Sequence, residues 1–190
     1  MFLSGKVAME NNRNLPLKIC LEDYAGDYHK YIDAIYDVFK HDFINHKTTF
    51  GSHQLKLKYH PIINDRAYTF YHMTNKGEVE DDRKFDPKRC ECMPWARPAI
   101  ENTEKWELKF WEQERKGKHR ICIWLDDCEN VDYFVILDVR SSFILLWTAF
   151  VSEYKHDTRK KEKEYNQWLI KNDNKKYTPN ELVSKIMNTI

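Results

Sequence analysis

Apolar residues recur along the chain at two periods, which divide it into helical and extended segments. Over residues 24–45 they repeat at helical spacing, so the pattern predicts one amphipathic helix with Asp27 as its N-cap. A charged segment over 154–170 that carries a few aromatic residues predicts a second helix, docked on the rest of the fold. Short links between apolar runs predict three antiparallel strands, at 120–125, 133–140 and 143–150.

Less regular hydrophobic patterns predict the elements between residues 55 and 115. Alternating apolar and basic residues predict a half-exposed strand over 55–59, and an aromatic-rich run predicts another strand over 67–73. Residues 88–102 are predicted to be helical, with Pro94 and Pro98 confining or breaking the helix. Large aromatic residues at helical spacing predict a further helix over 106–115, which Gly117 ends.

Together these elements predict an α+β fold, in which an N-terminal helix and flanking helices pack on a twisted antiparallel sheet of four or five strands. We divide the chain into a lead-in with an amphipathic helix over 1–50, a main domain over 51–172 and a tail over 173–190. The lead-in itself, over 1–16, is expected to be irregular. The three parts are expected to form one globular unit.

Composition narrows the class of protein. Hydrophobic residues make up 42% of the 190 residues, which excludes a disordered chain. Because 31 Lys and Arg face 30 Asp and Glu, the net charge argues neither for nor against a nucleic-acid partner. Five cysteines without a repeated spacing, and a start without an apolar leader, predict reduced thiols in a cytoplasmic protein. No apolar run is long enough for a membrane span, so no membrane partner is expected.

Three arginines punctuate the middle of the chain: Arg83, Arg89 and Arg97. A guanidinium group is always charged and offers a planar fork of donors that matches phosphate oxygens. On a continuous helix Arg89 and Arg97 would share one face, and they therefore indicate a phosphate-binding site. The alternative is an exposed helix in which these arginines pair with Glu91 and Glu101, and the sequence leaves it open.

Thr148 is the polar side chain in the otherwise apolar run over 143–150. A buried hydroxyl needs a partner, because an unpaired one costs about 1–3 kcal/mol. That partner is either a backbone group, which would make Thr148 structural, or a substrate phosphate at the end of the strand. Tyr154, just beyond the strand, is an aromatic residue that could stack on a base.

The histidines are candidates for proton transfer, since imidazole is the natural proton carrier near neutral pH. His156 begins the last predicted helix, where Arg159 and Lys160 can share its face. His60 and His72 lie at predicted strand ends, where loops usually carry chemistry. Each of these histidines has an alternative reading as an ordinary surface residue.

The cysteines are candidate ligands for a metal ion. Cys90 and Cys92, with Cys122 and Cys128, supply four thiols, but a Cys-x-Cys spacing differs from the usual zinc knuckle. The chain also lacks a glycine-rich phosphate loop, a Gly-x-Ser-x-Gly elbow and a His-Glu-x-x-His motif. The sequence therefore predicts neither a metal nor a cofactor.

Several short motifs follow one another in a recognisable order. They are Tyr71-His72, Glu80-x-x-Arg83, Asp86-x-x-Arg89-Cys90-Glu91, Pro94-Trp95-x-Arg97-Pro98-x-Ile100-Glu101, Trp147-Thr148-Ala149-Phe150, His156-x-x-Arg159-Lys160 and Glu164-Tyr165. This succession resembles the phage-associated ribonuclease-like proteins of the barnase/EndoU/colicin/RelE (BECR) superfamily. The likeness spans about residues 55–168. One departure is Phe150, which stands where members of the family usually carry a tyrosine.

The resemblance implies a small twisted antiparallel sheet backed by N-terminal helices, and metal-independent cleavage of RNA through attack of the 2′-hydroxyl. On this reading Arg89 and Arg97 clamp the scissile phosphate, Thr148 donates a hydrogen bond to it, and His156 or His72 carries the proton. Substrate binding falls to a second set of residues, namely Arg83, Arg120, Arg159, Lys160, Tyr154 and His60.

RNA is the partner that this resemblance implies, together with an antitoxin or immunity protein if the chain is a toxin of a phage or mobile element. Two other readings stay open. The chain can keep the fold as a non-catalytic module that binds nucleic acid or protein, because function belongs to sites and not to folds. It can also have a structural role in a phage particle.

Overall fold

Three long antiparallel strands form the centre of the fold. The structure, a computed structural model, describes residues 13–77, 79–115, 117–128 and 131–190. In these ranges the strands are β1 (Thr49–Phe50), β2 (His53–Lys56), β3 (Asn75–Lys76), β4 (Lys84–Phe85), β5 (Lys109–Arg115), β6 (Lys118–Cys128), β7 (Val131–Val139) and β8 (Ile144–Ser152). The helices are α1 (Tyr28–Phe39), α2 (Tyr68–Thr74), α3 (Pro87–Glu91), α4 (Ala96–Glu101), α5 (Lys155–Lys171) and α6 (Pro179–Met187). Short 3₁₀ turns cover Leu21–Tyr24, Glu80–Asp82 and Met93–Trp95, and a π-helical segment, Lys40–Asn45, extends α1.

The main sheet has six strands in the order β1-β2-β8-β7-β6-β5, and the α+β class is confirmed. The predicted antiparallel sheet of four or five strands is wrong in two respects. The sheet has one more strand, and it is mixed, because β2 runs parallel to β8 through the pairs Leu55↔Ile144 and Lys56↔Leu145. A parallel pair forms between segments far apart in the sequence, so neither a hairpin link nor a local pattern indicates it.

The three predicted central strands are confirmed as β6, β7 and β8. Their apolar runs are continuous because the sheet is covered on both faces. Tyr133 and Val135 on β7 belong to the larger core, which helices α1 to α4 and α6 share. Phe134 and Ile136 face the other way, toward α5. The sheet therefore lies between two helical layers.

The predicted strand over 67–73 is wrong: these residues form α2. Phe70 and Met73 are buried, but so are the polar side chains of Thr69 and His72. A short helix that is buried around its whole circumference has no amphipathic stripe, and its β-branched and aromatic residues favour a strand by propensity alone. Thr69 hydrogen bonds to both the N–H and the carbonyl of Lys58, which anchors the start of α2 beside β2.

The predicted helix over 106–115 is also wrong, since Lys109–Arg115 is strand β5. Trp111 and Gln113 are buried and point to one face, which is the two-residue period of a strand. Gly117, with a φ of 67°, turns the chain into β6, and β5 pairs with β6 over its whole length. Cross-strand pairing therefore overrode the helical spacing of the large aromatic residues.

The two long predicted helices are confirmed. Asp27 caps α1 by accepting hydrogen bonds from the N–H groups of His29 and Lys30. Helix α5 covers the second face of the sheet with Tyr165 and Trp168. Residues 88–102 are helical but broken, because a 3₁₀ turn with Pro94 at its second position separates α3 from α4.

The segment predicted as a tail, 173–190, carries the ordered helix α6. Leu182, Val183 and Ile186 lie in the same core as the apolar face of α1, so the first and last parts of the chain pack with the middle. Thr178 and Glu181 form a capping box at its start, a signal that the sequence displays. Of the predicted irregular lead-in, residues 1–12 lie outside the described part of the chain.

Candidate functional site

One edge of β8 brings together three of the predicted site residues. The Thr148 hydroxyl donates to the carbonyl oxygen of His72 at 2.7 Å, and Arg89 Nη1 donates to the Thr148 hydroxyl at 3.1 Å. Arg89 Nη1 also lies 3.2 Å from the His72 carbonyl. Helices α2 and α3 thus cover the part of this edge that the short strand β2 leaves unpaired.

A bulge in β8 shapes this edge. Ile136 pairs with Thr148 and Leu137 pairs with Leu146, so Trp147 has no partner across the ladder. A bulge bends a strand and redirects its side chains. The Trp147 ring packs against the imidazole of His72 at 4.7 Å, and the Arg120 guanidinium lies 5.0 Å from its centroid.

Arg89 is held rigidly. Nη1 carries all of its described hydrogen bonds, to Thr148 and to the carbonyls of His72 and Asn75, and Nε lies 3.4 Å from Asp86 Oδ2. Only 14% of the side chain is exposed, and burial lowers the pKa of the guanidinium, which nevertheless stays charged at any physiological pH. Asp86 in turn caps α3 ahead of Pro87, so the partner of Arg89 is fixed by the start of a helix.

Arg83 contacts the same stretch of backbone. Its Nη1 donates to the Gly77 carbonyl at 2.9 Å and its Nη2 to the Asn75 carbonyl at 2.8 Å. The Asn75 oxygen therefore accepts hydrogen bonds from both Arg83 and Arg89. The carbonyls at the C-terminal end of a helix lack partners within the helix, and cations there are stabilising. Arg83 is a structural residue in this arrangement.

His72 lies behind Thr148 and is only 3% exposed. Its Nε2 is 3.0 Å from Glu80 Oε1, and its ring lies between those of Tyr68 and Trp147, at 4.6 and 4.7 Å. Burial is the largest cause that lowers the pKa of His72 to about 4, and the charge of Arg83 acts in the same direction. The imidazole is therefore neutral at neutral pH and out of reach of a large substrate.

An open groove of about 620 Å³ passes in front of Arg89. We call it the Arg89 groove; its walls are Lys76, Asp86, Arg89, Arg115, Phe150, Val151, Ser152, Glu153, Tyr154, Asp157, Lys160, Lys161 and Glu164. Five of these residues are cationic and four are carboxylates, and two are aromatic, so the lining suits an anionic ligand with flat rings. Lys76 joins two of the carboxylates, and its hydrogen bond lowers the pKa of Glu153.

The start of α5 forms the rim of this groove. His156, whose side chain is 64% exposed, has Nε2 3.2 Å from Asp157 Oδ1 and stacks on the Tyr154 ring at 5.6 Å. Lys160 also pairs with Asp157, at 3.1 Å. Arg159 is exposed on the same helix. The first turn of a helix attracts anions, which adds to the charge of these side chains.

Other predicted residues lie elsewhere. Arg97 binds Glu101 at 3.0 Å and Asp42 at 3.4 Å, and it lines a groove of about 810 Å³ that shares no residue with the Arg89 groove. The guanidinium of Arg120 lies over the ring of Trp147, the bulged residue of β8, and its Nε is 3.9 Å from Asp138 Oδ1. His60 is exposed and precedes a cis proline. The two arginines expected to clamp one phosphate are therefore in different grooves.

Sequence reasoning predicted Lys160 but missed the four carboxylates of the Arg89 groove and its other two lysines, Lys76 and Lys161. Asp86 was detectable, because Asp before Pro is a frequent start of a helix and Arg89 follows at i+3. Lys76 lies on β3 and Glu153 directly follows β8, and only the fold brings them together as an ion pair. Phe150 was noted only for lacking a hydroxyl, whereas its ring lies 5.6 Å from the Arg89 guanidinium.

No disulfide joins Cys20, Cys90, Cys92 or Cys122. Within the described ranges, no three His, Cys, Asp or Glu side chains are grouped so that they could hold a metal ion. The helices of the same ranges are all too short or too polar to cross a bilayer.

Comparisons with known proteins found no relative of this chain. No protein-family model matches the chain, and neither a curated protein nor a solved structure matches it significantly. The proposed function therefore rests on the geometry of the chain's own residues.

Proposed function

We propose that this chain binds single-stranded RNA in the Arg89 groove and cleaves it without a metal, as an endoribonuclease. The observation that carries the proposal is a rigid, charged guanidinium at the wall of an open groove with aromatic and cationic walls. Donors fixed before the reaction stabilise developing charge without reorganising, and one such donor is worth about 2.7–4 kcal/mol in a transition state.

Arg89 would bind the scissile phosphate. Two carbonyls and one hydroxyl fix Nη1 of Arg89. None of the described hydrogen bonds of Arg89 uses Nη2, which is the nitrogen we assign to the phosphate. Thr148 positions the guanidinium from behind and does not itself contact the substrate. Phe150 and Tyr154 offer rings on which bases can stack, and Lys160 adds charge beside them.

His156 and Glu153 would carry the protons. Glu153 takes the proton of the 2′-hydroxyl, whose oxygen then bonds to phosphorus, while the bond from phosphorus to the 5′-oxygen breaks. His156 donates a proton to the departing 5′-oxygen, and Asp157 orients its imidazole from 3.2 Å. The products are a 2′,3′-cyclic phosphate and a 5′-hydroxyl. His72 has no part in this scheme, because it is buried.

The test is incubation of the pure protein with labelled RNA in EDTA, followed by analysis of the fragment ends. We expect 2′,3′-cyclic phosphate ends from the parent and at least about a hundredfold slower cleavage by His156→Asn. Binding is measured with an uncleavable 2′-deoxy strand, and both proteins should bind it equally. His156→Gln, which also lacks a proton carrier, should behave in the same way. Cleavage at the parent rate by both variants would remove His156 from the mechanism.

A non-catalytic RNA-binding module is the second candidate. It is favoured by one observation: Thr148 and Arg89 Nη1 tie the carbonyls of His72 and Asn75 to β8, which is a role in holding the fold. Binding of the deoxy strand, without any fragments of RNA from the parent, would establish this reading. If the chain is instead a toxic nuclease, expression should arrest growth, and His156→Asn should relieve it. An antitoxin or immunity protein would then be the expected partner.

A further inference from the structure

A second concave site lies at the other end of α5 from the Arg89 groove. The last turns of α5, the loop to α6 and the turn before β5 enclose a cavity of about 480 Å³. We call it the Tyr177 pocket; its walls are Thr103, Glu104, Glu107, Leu108, Lys109, Phe110, Tyr165, Trp168, Leu169, Lys175, Lys176 and Tyr177. It shares no residue with the Arg89 groove, so it is a separate site.

Four of the walls are aromatic, and the protein holds their rings in place. Trp168 and Tyr177 lie 5.6 Å apart at 52°, and Tyr165 packs on the fully buried Trp111 at 5.5 Å. Phe110 is fixed on β5 and contacts Phe50 at 5.7 Å. Rings supported from behind by a core lose little entropy when a flat ligand stacks on them.

The backbone around the pocket is also fixed in an uncommon conformation. Glu107, Asp173 and Asn174 have φ values of 50°, 54° and 56°, in the left-handed region that non-glycine residues rarely adopt. Hydrogen bonds lock both loops: the N–H of Asn174 donates to the Leu169 carbonyl at 2.8 Å, and that of Leu108 to the Thr103 carbonyl at 2.9 Å. Strain of this kind concentrates at binding sites, which are then formed before the ligand arrives.

Packing of α5 on the sheet does not by itself explain this cavity. Tyr165 and Trp168 already anchor α5 through the second core cluster. Their exposed sides, with Phe110 and Tyr177, still enclose a volume within the range of small-molecule sites, which is about 300–1,000 Å³.

The charges at the rim define the kind of ligand. The exposed Lys175 has its ammonium 4.6 Å from the Tyr177 ring and 3.5 Å from Glu181, and Lys176 beside it is exposed as well. Glu104 and Glu107 supply acceptors for amino or hydroxyl groups. Flat rings, cations and carboxylates together match a base, a phosphate and the sugar hydroxyls.

We propose that the Tyr177 pocket binds a nucleotide, with its base on the aromatic walls and its phosphate at Lys175 and Lys176. The nucleotide is either free or part of a strand that follows α5 from the Arg89 groove. The exposed side of α5 favours a path for a strand, because it holds five cations, Lys155, Arg159, Lys160, Lys163 and Lys171, against the carboxylates of Glu162 and of Asp157, which pairs with Lys160. The pocket does not depend on whether RNA is cleaved.

The experiment titrates the full chain with AMP and follows binding by calorimetry and by shifts of the NMR signals. AMP should perturb the indole N–H of Trp168, and Tyr177→Leu should weaken binding about tenfold or more, because it removes a stacking ring. Tyr177→Phe, which keeps the ring, should bind as the parent does. Tyr59→Leu, which removes an exposed ring that lines neither the Tyr177 pocket nor the Arg89 groove, is the matched control and should leave AMP binding unchanged. Thermal melting checks that each variant is folded.

Two further ligands, a short strand and inorganic phosphate, show whether the pocket binds a free nucleotide or part of a strand, and whether the base contributes to binding. A short deoxyadenosine strand that binds more tightly than AMP, and loses that advantage in Tyr177→Leu, indicates a strand as the natural ligand. Equal affinity for AMP and the strand indicates a free nucleotide. The proposal is overturned if neither binds, if Tyr59→Leu weakens AMP binding as much as Tyr177→Leu does, or if inorganic phosphate alone binds as tightly as AMP.

Discussion

Arg89 and Arg97 come from neighbouring helices, yet they lie in surroundings of opposite charge. Arg89, with Lys76 and Lys88, faces two carboxylates, those of Asp86 and Glu153. Arg97 alone faces two carboxylates, those of Asp42 and Glu101, whose remaining contacts are the imidazoles of His41 and His46. Counting formal charges with neutral imidazoles, the first network has one cation in excess and the second has one anion in excess.

This contrast explains why two arginines of one segment are not equivalent as phosphate ligands. The guanidinium of Arg97 faces two acids, at 3.0 and 3.4 Å, whereas that of Arg89 faces one, Asp86 at 3.4 Å, and its Nη1 is held by neutral oxygens. Neutral acceptors fix the position of a guanidinium without cancelling its charge. A phosphate would therefore meet attraction at Arg89 and repulsion at Arg97.

The largest effect that we expect separates these two arginines by RNA cleavage. Arg89→Gln should slow cleavage at least about a hundredfold, because it removes a fixed donor for the transition state. Arg97→Gln should change the rate by less than about twofold. Initial rates with labelled RNA in EDTA measure both, and circular dichroism checks the fold. Slower cleavage by Arg97→Gln than by Arg89→Gln would show that Arg97, and not Arg89, binds the scissile phosphate.

A second comparison uses the free energy of unfolding in urea. Arg89→Ala should cost about 2–3 kcal/mol, since it leaves buried polar groups with fewer partners. Arg97→Ala should cost less than about 1 kcal/mol, because its side chain is 25% exposed and its ion pairs are screened. Equal losses for the two variants would show that the carbonyl contacts of Arg89 add nothing to stability.

The pH dependence of stability should come from the histidine on the Arg89 side. The pKa of His72 is lowered to about 4 in the folded protein, against roughly 6.5 when unfolded, so the unfolded chain binds the proton more strongly. Its contribution is present above about pH 6.5 and is lost as pH falls toward 4, by at most about 1.4 kcal/mol per pH unit.

Urea unfolding at several pH values checks this expectation. His72→Gln should flatten the acid side of the profile relative to the parent. His46→Gln, at the exposed end of the Arg97 network, is the matched control. A parent-like acid slope in His72→Gln would exclude His72 as its source.

The smallest effect concerns the hydroxyl that holds Arg89. Thr148→Val should lower the free energy of unfolding by about 1–2 kcal/mol, because the His72 carbonyl and Arg89 Nη1 each lose a partner. Thr148→Ser keeps the hydroxyl and should retain most of the stability and the cleavage rate. A valine variant that matches the parent in both measurements would leave the positioning role of Thr148 without support.

The site was predictable to the extent that its residues lie on well-marked elements. A lone hydroxyl and a fork of donors both need partners, which predicts Thr148 and Arg89 as site residues, and the two contact each other. His72 is predicted at the end of a strand, but it lies on a helix and is buried. Arg97 shares a face with Arg89 only on a continuous helix, and the 3₁₀ turn that contains Pro94 interrupts that helix.

Local patterns in the sequence were enough to predict α1 with its Asp27 cap, the three central strands and α5. Helix α1 carries apolar residues at helical spacing along one face, and the central strands form continuous apolar runs because both of their faces are buried. The capping box of α6 was equally local, although the tail prediction passed over it.

The remaining features depend on tertiary contacts. Residues 67–73 became a helix because they are buried on all sides beside β8, and residues 109–115 became a strand because β6 was there to pair with them. The parallel pairing of β2 with β8 and the ion pairs of the Arg89 groove join residues far apart in the chain. Such contacts depend on which surfaces meet once the core has formed, and no local propensity encodes that meeting.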